Sequence, residues 1–260
     1  MLKAASIAEG ARIKNNWDRV LTRISAAARR AGREPDQVSL VAVAKGVPLT
    51  TLSRAARLGI TQIGESRVQE AQDKIAHLRQ EGVAVTWHMV GHLQRNKVKT
   101  ALALFDWIDS LDSLRLAREL EKRAAEADLS MPVLLEINTS GEESKHGLRL
   151  PDFEGRESSM LFPLIGEILD NAHLRVEGLM TMAPAVADPE EARPYFRALR
   201  QLRDELARHF PEASWRHLSM GMSDDLEIAV EEGATMVRIG RAIFAQDLPE
   251  SDGRSGRDDG

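Results

Sequence analysis

Eight short apolar runs recur along this chain, and amphipathic helical segments separate them. The runs lie near residues 38–44, 61–63, 85–90, 107–109, 133–138, 176–180, 215–219 and 236–239. Between them, apolar residues at helical spacing mark 52–58, 68–78, 114–127, 190–209 and 224–232. Strands that alternate with helices build parallel sheets, because a parallel neighbour needs a crossover long enough to hold a helix. Eight such units within 260 residues fit a single α/β domain, a closed (β/α)8 TIM-type barrel. An open, doubly wound sheet is the competing architecture, since the second and fourth runs are very short. An extra N-terminal helix precedes the first run. Ile13, Trp17, Val20, Leu21 and Ile24 share one stripe over 7–31, and Gly32 stops it.

No Gly/Pro-rich linker divides the chain, so residues 1–248 are expected to form one barrel domain. Residues 249–260 are polar, Gly-rich and charged, and are expected to be a disordered tail. Residues 150–162 read as a loop or an irregular helix start. The net charge of −5 gives no support for a nucleic-acid binder. The absence of cysteine excludes disulfides, thiolate catalysis and Cys-based metal sites. No run is long enough to span a bilayer, and the first residues lack a signal-peptide core, so a cytoplasmic location is expected.

Lys45 carries the sharpest chemical signal. It ends the apolar run Ser39-Leu40-Val41-Ala42-Val43-Ala44. Desolvation at such a strand end favours the free amine, the form that attacks a carbonyl. The alternative is an ammonium that snorkels into solvent. The other strand ends also collect polar residues at the barrel face that carries active sites. The loops after the last two strands offer Ser219, Gly221, Ser223 and Gly240, and residues 240–244 form one short helical turn whose amides suit an anion. The alternative there is ordinary turn glycines with Ser223 as a helix cap. Arg238 stands two residues before Gly240, placed either to donate to a ligand or to form a structural ion pair.

Other motifs carry less. His88 and His92 have the i, i+4 spacing of a helical zinc site, but a strand and its turn do not bring such rings together. His146 and His217 show no metal partners in the sequence, so no metal site is expected. The cluster Arg95, Lys97, Lys99 reads as a solvated helix face. There is no nucleophile elbow, no P-loop and no dinucleotide fingerprint.

Six segments, LVAVAK (40–45), IGESRVQEA (63–71), WHMVGHLQRNK (87–97), EINTSGEESKHGL (136–148), EGLMTMAP (177–184) and HLSMGMSDDLEIAVEEGATMVRIGRAIF (217–244), resemble the pyridoxal 5′-phosphate (PLP) homeostasis protein family. They keep the family order over most of the chain. The resemblance implies a barrel like the N-terminal domain of alanine racemases, with PLP held as a Schiff base on Lys45. It further implies phosphate contacts from Ser219 and the Gly240 and Arg241 amides, with Met220 and Ser223 lining that loop. Arg238 would face the pyridine nitrogen, and His217, Met182 and Asn138 would surround the ring. Lys145 matches a second lysine of the family, an alternative acceptor or a release relay. Ser66 stands where members commonly carry Asn, which puts a cofactor contact there in doubt. Gly46 and Val47 replace residues that are polar in many relatives.

The resemblance implies a PLP carrier in vitamin B6 homeostasis, one that buffers the cofactor or hands it to PLP-dependent apo-enzymes, and the lack of a racemase-type partner domain leans the expectation towards a monomer. A weak PLP-dependent enzyme, racemase-like, is the alternative, as is a PLP-free barrel for another phosphorylated metabolite. Alanine racemases add a β-domain that brings a catalytic tyrosine, and the one tyrosine here, Tyr195, falls in a helix away from the expected site.

Overall fold

A computed structural model describes residues 2–149 and 158–245. The expected tail at 249–260 and the start of the 150–162 segment therefore lie outside the described residues. The strands are β1 (Ser39–Val43), β2 (Gln62–Glu65), β3 (Thr86–Met89), β4 (Trp107–Leu111), β5 (Met131–Asn138), β6 (Leu148–Arg149), β7 (Leu174–Met180), β8 (His217–Ser219) and β9 (Met236–Ile239). All pair in parallel. Ala42 of β1 sits opposite Ile63 of β2 and Ile239 of β9, and Ile108 of β4 sits opposite Val133 of β5. Those pairings close an eight-stranded barrel, in which β6 is a two-residue appendage on β5. The open-sheet alternative is thereby excluded.

Closure is visible in the interior as well. His217 of β8 meets the Trp107 ring of β4 edge-on, with centroids 5.5 Å apart. Those strands are separated by β5 and β7 on one side, so the contact crosses the barrel. His88 stacks on the same Trp107 and bonds Asp109 at 3.0 Å through Nδ1 and Gln62 at 2.8 Å through Nε2. With both ring nitrogens partnered, His88 is held inside the barrel, away from His92 in the loop beyond β3.

Helices α1 (Leu2–Arg30), α2 (Leu49–Arg57), α3 (Val68–Gln80), α4 (Val98–Leu104), α5 (Leu114–Glu126), α6 (Ser158–Leu169), α7 (Arg193–His209), α8 (Leu226–Glu231) and α9 (Arg241–Phe244) complete the fold. The extra helix α1 buries Ile13, Val20, Ile24, Ala27 and Ala28. Each large side chain there is worth roughly 1.5–3 kcal/mol of burial. Leu21, expected on that stripe, is exposed; Asn16 is buried instead and donates to the Ile243 carbonyl at 3.1 Å. Arg23 clamps Glu227 at 2.5 and 2.8 Å, so α1 is fastened to α8 as well as to α9. Gly32 adopts φ +66 just past the helix end, as its role as a stop requires. Residues 158–162 form the start of α6, the second of the two readings the sequence allowed. Among the described residues no helix is long and apolar enough to cross a membrane.

Candidate functional site

The C-terminal ends of β1, β7, β8 and β9 surround a cavity of about 1160 Å³. That is ample for a small phosphorylated ligand, since ligand pockets commonly hold roughly 300–1,000 Å³. Six of the expected site residues line it: Lys45, Met182, Ser223, Arg238, Gly240 and Arg241.

Lys45 follows β1 in a tight turn in which the Val47 amide donates to the Ala44 carbonyl at 2.9 Å. Gly46 takes φ +70 at the centre of that turn, a conformation that favours glycine. Its departure from polar relatives thus has a backbone cause. The desolvation expected of Lys45 is not found: the strand ends at Val43, and Lys45 is exposed at the cavity mouth. Beneath it, the buried Lys74 of α3 donates to the Ala44 carbonyl at 2.7 Å and to Glu65 Oε2 at 2.5 Å. Neither Lys74 nor Glu65 was singled out from the sequence. The available signals were a lysine on the apolar stripe of α3 and a carboxylate inside a strand.

Arg238 is buried within β9 and held by three donated bonds. Its Nη1 reaches the Ser219 carbonyl at 2.7 Å and Ser219 Oγ at 2.8 Å, and its Nη2 reaches the Thr181 carbonyl at 2.8 Å. The Thr181 amide in turn donates to the Ser219 carbonyl at 3.1 Å. The ends of β7, β8 and β9 are thereby tied together around one guanidinium. Burial pulls Arg238 down from its ordinary value, while the carboxylates of Asp109, Glu136 and Asp225 oppose the shift. Glu136 is buried on β5 and is pushed up to about 7, first by burial and then by Asp112, with Arg238 acting against both.

The phosphate-type corner is built at the start of α9. Ser223 does not cap α8, as one sequence reading allowed; α8 begins after Asp225, whose Oδ1 accepts from the Met222 amide at 2.6 Å. The Ser223 hydroxyl instead accepts from the Ala242 amide at 3.3 Å. The Gly240 and Arg241 amides remain, and the first turn of a helix cannot bond such groups internally. A Cβ on Gly240 would lie 3.1 Å from the Val43 carbonyl, so glycine lets β9 run close beside the Lys45 turn. An amine, a buried cation and open amides on one cavity wall fit an aldehyde that carries a phosphate.

Five expected residues do not reach the cavity wall. Ser219 is fully buried, and its hydroxyl is engaged by Arg238. Met220 is buried behind it, its amide bonded to the Met236 carbonyl at 3.0 Å. Asn138 is consumed by its own loop: Nδ2 donates to the Glu142 carbonyl at 2.8 Å, and Oδ1 accepts from the Gly141 amide at 3.0 Å. His217 lies in the interior layer with Trp107, its Nδ1 buried without a partner and its basicity lowered, chiefly by burial and then by Arg216. Ser66 packs against Gly91, where an added Cβ would come within 2.7 Å of its own. The sequence missed Glu9 and Arg12 of α1, and Thr51 of α2 beside Glu9, as wall residues, because it gave no sign that α1 folds over the cavity. Glu9 accepts from Thr51 at 2.6 Å and pairs with Arg54, and Arg12 donates to the Phe244 carbonyl at 3.1 Å.

The comparisons with known proteins define the class. A family model described as "Alanine racemase, N-terminal domain" matches residues 11–247. The alanine racemase of Clostridium difficile 630 shares the fold at 16% identity and TM-score 0.68, with 93% of this chain and 57% of that one covered. Nearer relatives narrow it. The pyridoxal phosphate homeostasis protein of Aquifex aeolicus is 42% identical over 88% of this chain and 95% of its own. Its Escherichia coli K12 counterpart is 39% identical over 89% and 95%. PipY of Synechococcus elongatus, solved with PLP bound, aligns at TM-score 0.71 and 34% identity over 86% of this chain and 99% of that one. The chain belongs to the pyridoxal phosphate homeostasis protein family.

Proposed function

We propose that this protein binds PLP reversibly through Lys45 and acts in cellular PLP homeostasis, holding the cofactor and passing it to PLP-dependent apo-enzymes. One observation carries the reading: an exposed lysine shares a cavity with buried Arg238 and the first-turn amides of α9. The names of the relatives and the PLP-bound PipY support it. When bound, PLP supplies an aldehyde for an amine to capture and a ring that withdraws electrons.

Each residue then has a role. Lys45 would hold PLP covalently, its Nζ offering the amine that the cofactor's aldehyde captures. The Gly240 and Arg241 amides hold the phosphate, with Ser223 fixing the neighbouring Ala242 amide. Arg238 would face the ring nitrogen and, as a group that stays charged, would donate to it without giving it a proton. An unprotonated ring is a weak electron sink, which suits storage better than carbanion chemistry. Ser219 and Thr181 aim Arg238, and Met182 supplies an apolar wall. Met220, Asn138, His217 and Ser66 are left out of the contact set. Solvent at Lys45 lets water or an acceptor amine reverse the link, whereas PLP enzymes gain from excluding water.

A spectral titration tests the reading. PLP should produce a visible band in the wild type and none in Lys45→Ala, which should retain weak binding through the phosphate corner. Amino acids should not be turned over, and a PLP-requiring apo-enzyme should regain activity when given the loaded protein. Steady turnover of amino acids would support the enzyme reading instead.

A further inference from the structure

Three residues outside the cavity wall converge at the same end of the barrel. His92 follows β3, Asp112 follows β4, and His146 lies in the loop after β5. His92 Nδ1 stands 2.7 Å from Asp112 Oδ2, and His146 Nδ1 stands 3.9 Å from the same oxygen. One ligand atom from each lies within 4.8 Å of the others. The two imidazoles stack with centroids 3.8 Å apart and planes 9° from parallel. The sequence showed no partner for His146; the fold supplies two.

Hydrogen bonding alone explains half of this arrangement. His92 and Asp112 form a good pair, but 3.9 Å is too long for a bond to His146. We propose that His92, Asp112 and His146 bind one divalent transition-metal ion of the zinc type. Two imidazole nitrogens and a carboxylate are a donor set for Zn²⁺ and for Co²⁺ or Ni²⁺, whereas Mg²⁺ and Ca²⁺ take oxygen ligands.

The distances suit an ion after a small adjustment. Metal–ligand bonds of about 2.0–2.2 Å at tetrahedral angles separate neighbouring ligand atoms by roughly 3.4 Å. The observed 2.7 and 3.9 Å bracket that value. Parallel rings cannot aim their in-plane lone pairs at one point, so the stack opens on binding. The side chains allow this: His146 is 53% exposed and His92 40%, while Asp112, at 7%, is the fixed anchor. Three protein ligands leave a fourth position for water. The ion joins the loops after β3, β4 and β5, and the last of these carries Lys145 into the cavity wall. The proposal is independent of PLP binding.

The test uses the full chain, stripped with chelator and free of PLP. Co²⁺ and Zn²⁺ are titrated in competition with a chromophoric chelator, and bound metal is counted after dialysis. The expected result is one ion per chain, a tetrahedral Co²⁺ absorption band, and more than about a hundredfold loss of affinity in His146→Ala and in His92→Ala. His173→Ala, which removes a histidine paired elsewhere with Glu121, should bind as the wild type. No stoichiometric ion, or equal affinity in both rim variants and the wild type, overturns the proposal. Both rim histidines are partly exposed, and circular dichroism verifies that the variants fold.

Discussion

Lys74 donates its Nζ proton to the carbonyl oxygen of Ala44 at 2.7 Å, one residue before the lysine proposed to carry the cofactor. The same ammonium lies 2.5 Å from Glu65 Oε2, and both side chains are buried. The other Glu65 oxygen accepts from the Ser66 amide at 2.7 Å. The ends of β1 and β2 are therefore pinned by one ion pair directly beneath the Lys45 turn.

Breaking that pair should be costly. Lys74→Met leaves Glu65 buried and uncompensated, a change worth about 3–5 kcal/mol. Replacing both residues by apolar ones should recover most of the stability but leave the Ala44 carbonyl without its donor. Urea denaturation should show the recovery, and PLP titration should show binding weaker than wild type in the double variant. Full recovery of both would reduce the pair to a packing element.

Ser219 acts on the ligand through Arg238 in this account. Ser219→Ala removes one of three bonds to a buried cation and should cost about 1.5–3 kcal/mol of stability. Affinity for pyridoxal and for pyridoxal phosphate should fall by the same factor, because the hydroxyl is turned away from the phosphate corner. A loss confined to the phosphorylated form would place Ser219 on the phosphate, as the family resemblance implied.

Glu136 should make stability depend on pH. Its folded value is raised from 4.5 to about 7, so the folded state holds a proton that the unfolded state releases. The resulting stabilisation is complete below about 4.5 and is lost as the pH rises through 7, on the order of 3 kcal/mol in all. Glu136→Gln lacks this group. Relative to the wild type it should gain stability by that amount between pH 4.5 and 8, as read from urea midpoints. A difference that stays constant over this range would contradict the assignment.

Gly46→Ala tests the turn. Nothing crowds the new methyl group, so its cost is the strain of φ +70 alone, roughly 1–2 kcal/mol. The melting temperature should fall modestly, and PLP binding should weaken because Lys45 is the preceding residue. An unchanged melting temperature would show that the turn relaxes freely.

Much of this molecule was legible in its sequence, for reasons of pattern. The eight barrel strands showed as apolar runs because strands sealed on both faces are mostly apolar, with the few buried polar residues held by partners inside the barrel. Lys45, Arg238 and Gly240 stood out because charge or glycine at the end of such a run is conspicuous. The cavity's roof was not legible: Glu9 and Arg12 look like ordinary exposed positions of an amphipathic helix, and only the packing of α1 on α8 and α9 brings them over the site. That Asn138 and Ser66 lie off the cavity wall was illegible for a related reason. A polar residue at a strand end can serve a ligand or its own loop, and spacing does not distinguish the two. His92 and His146 are far apart in sequence and meet only because their strands are close in the closed barrel.

Borohydride reduction of the PLP-loaded protein, followed by mass mapping of its peptides, tests the central claim most directly. The account predicts one pyridoxyl group per chain, on the peptide that carries Lys45, and none on the Lys145 peptide. A label on Lys145, or one scattered over surface lysines, would contradict it.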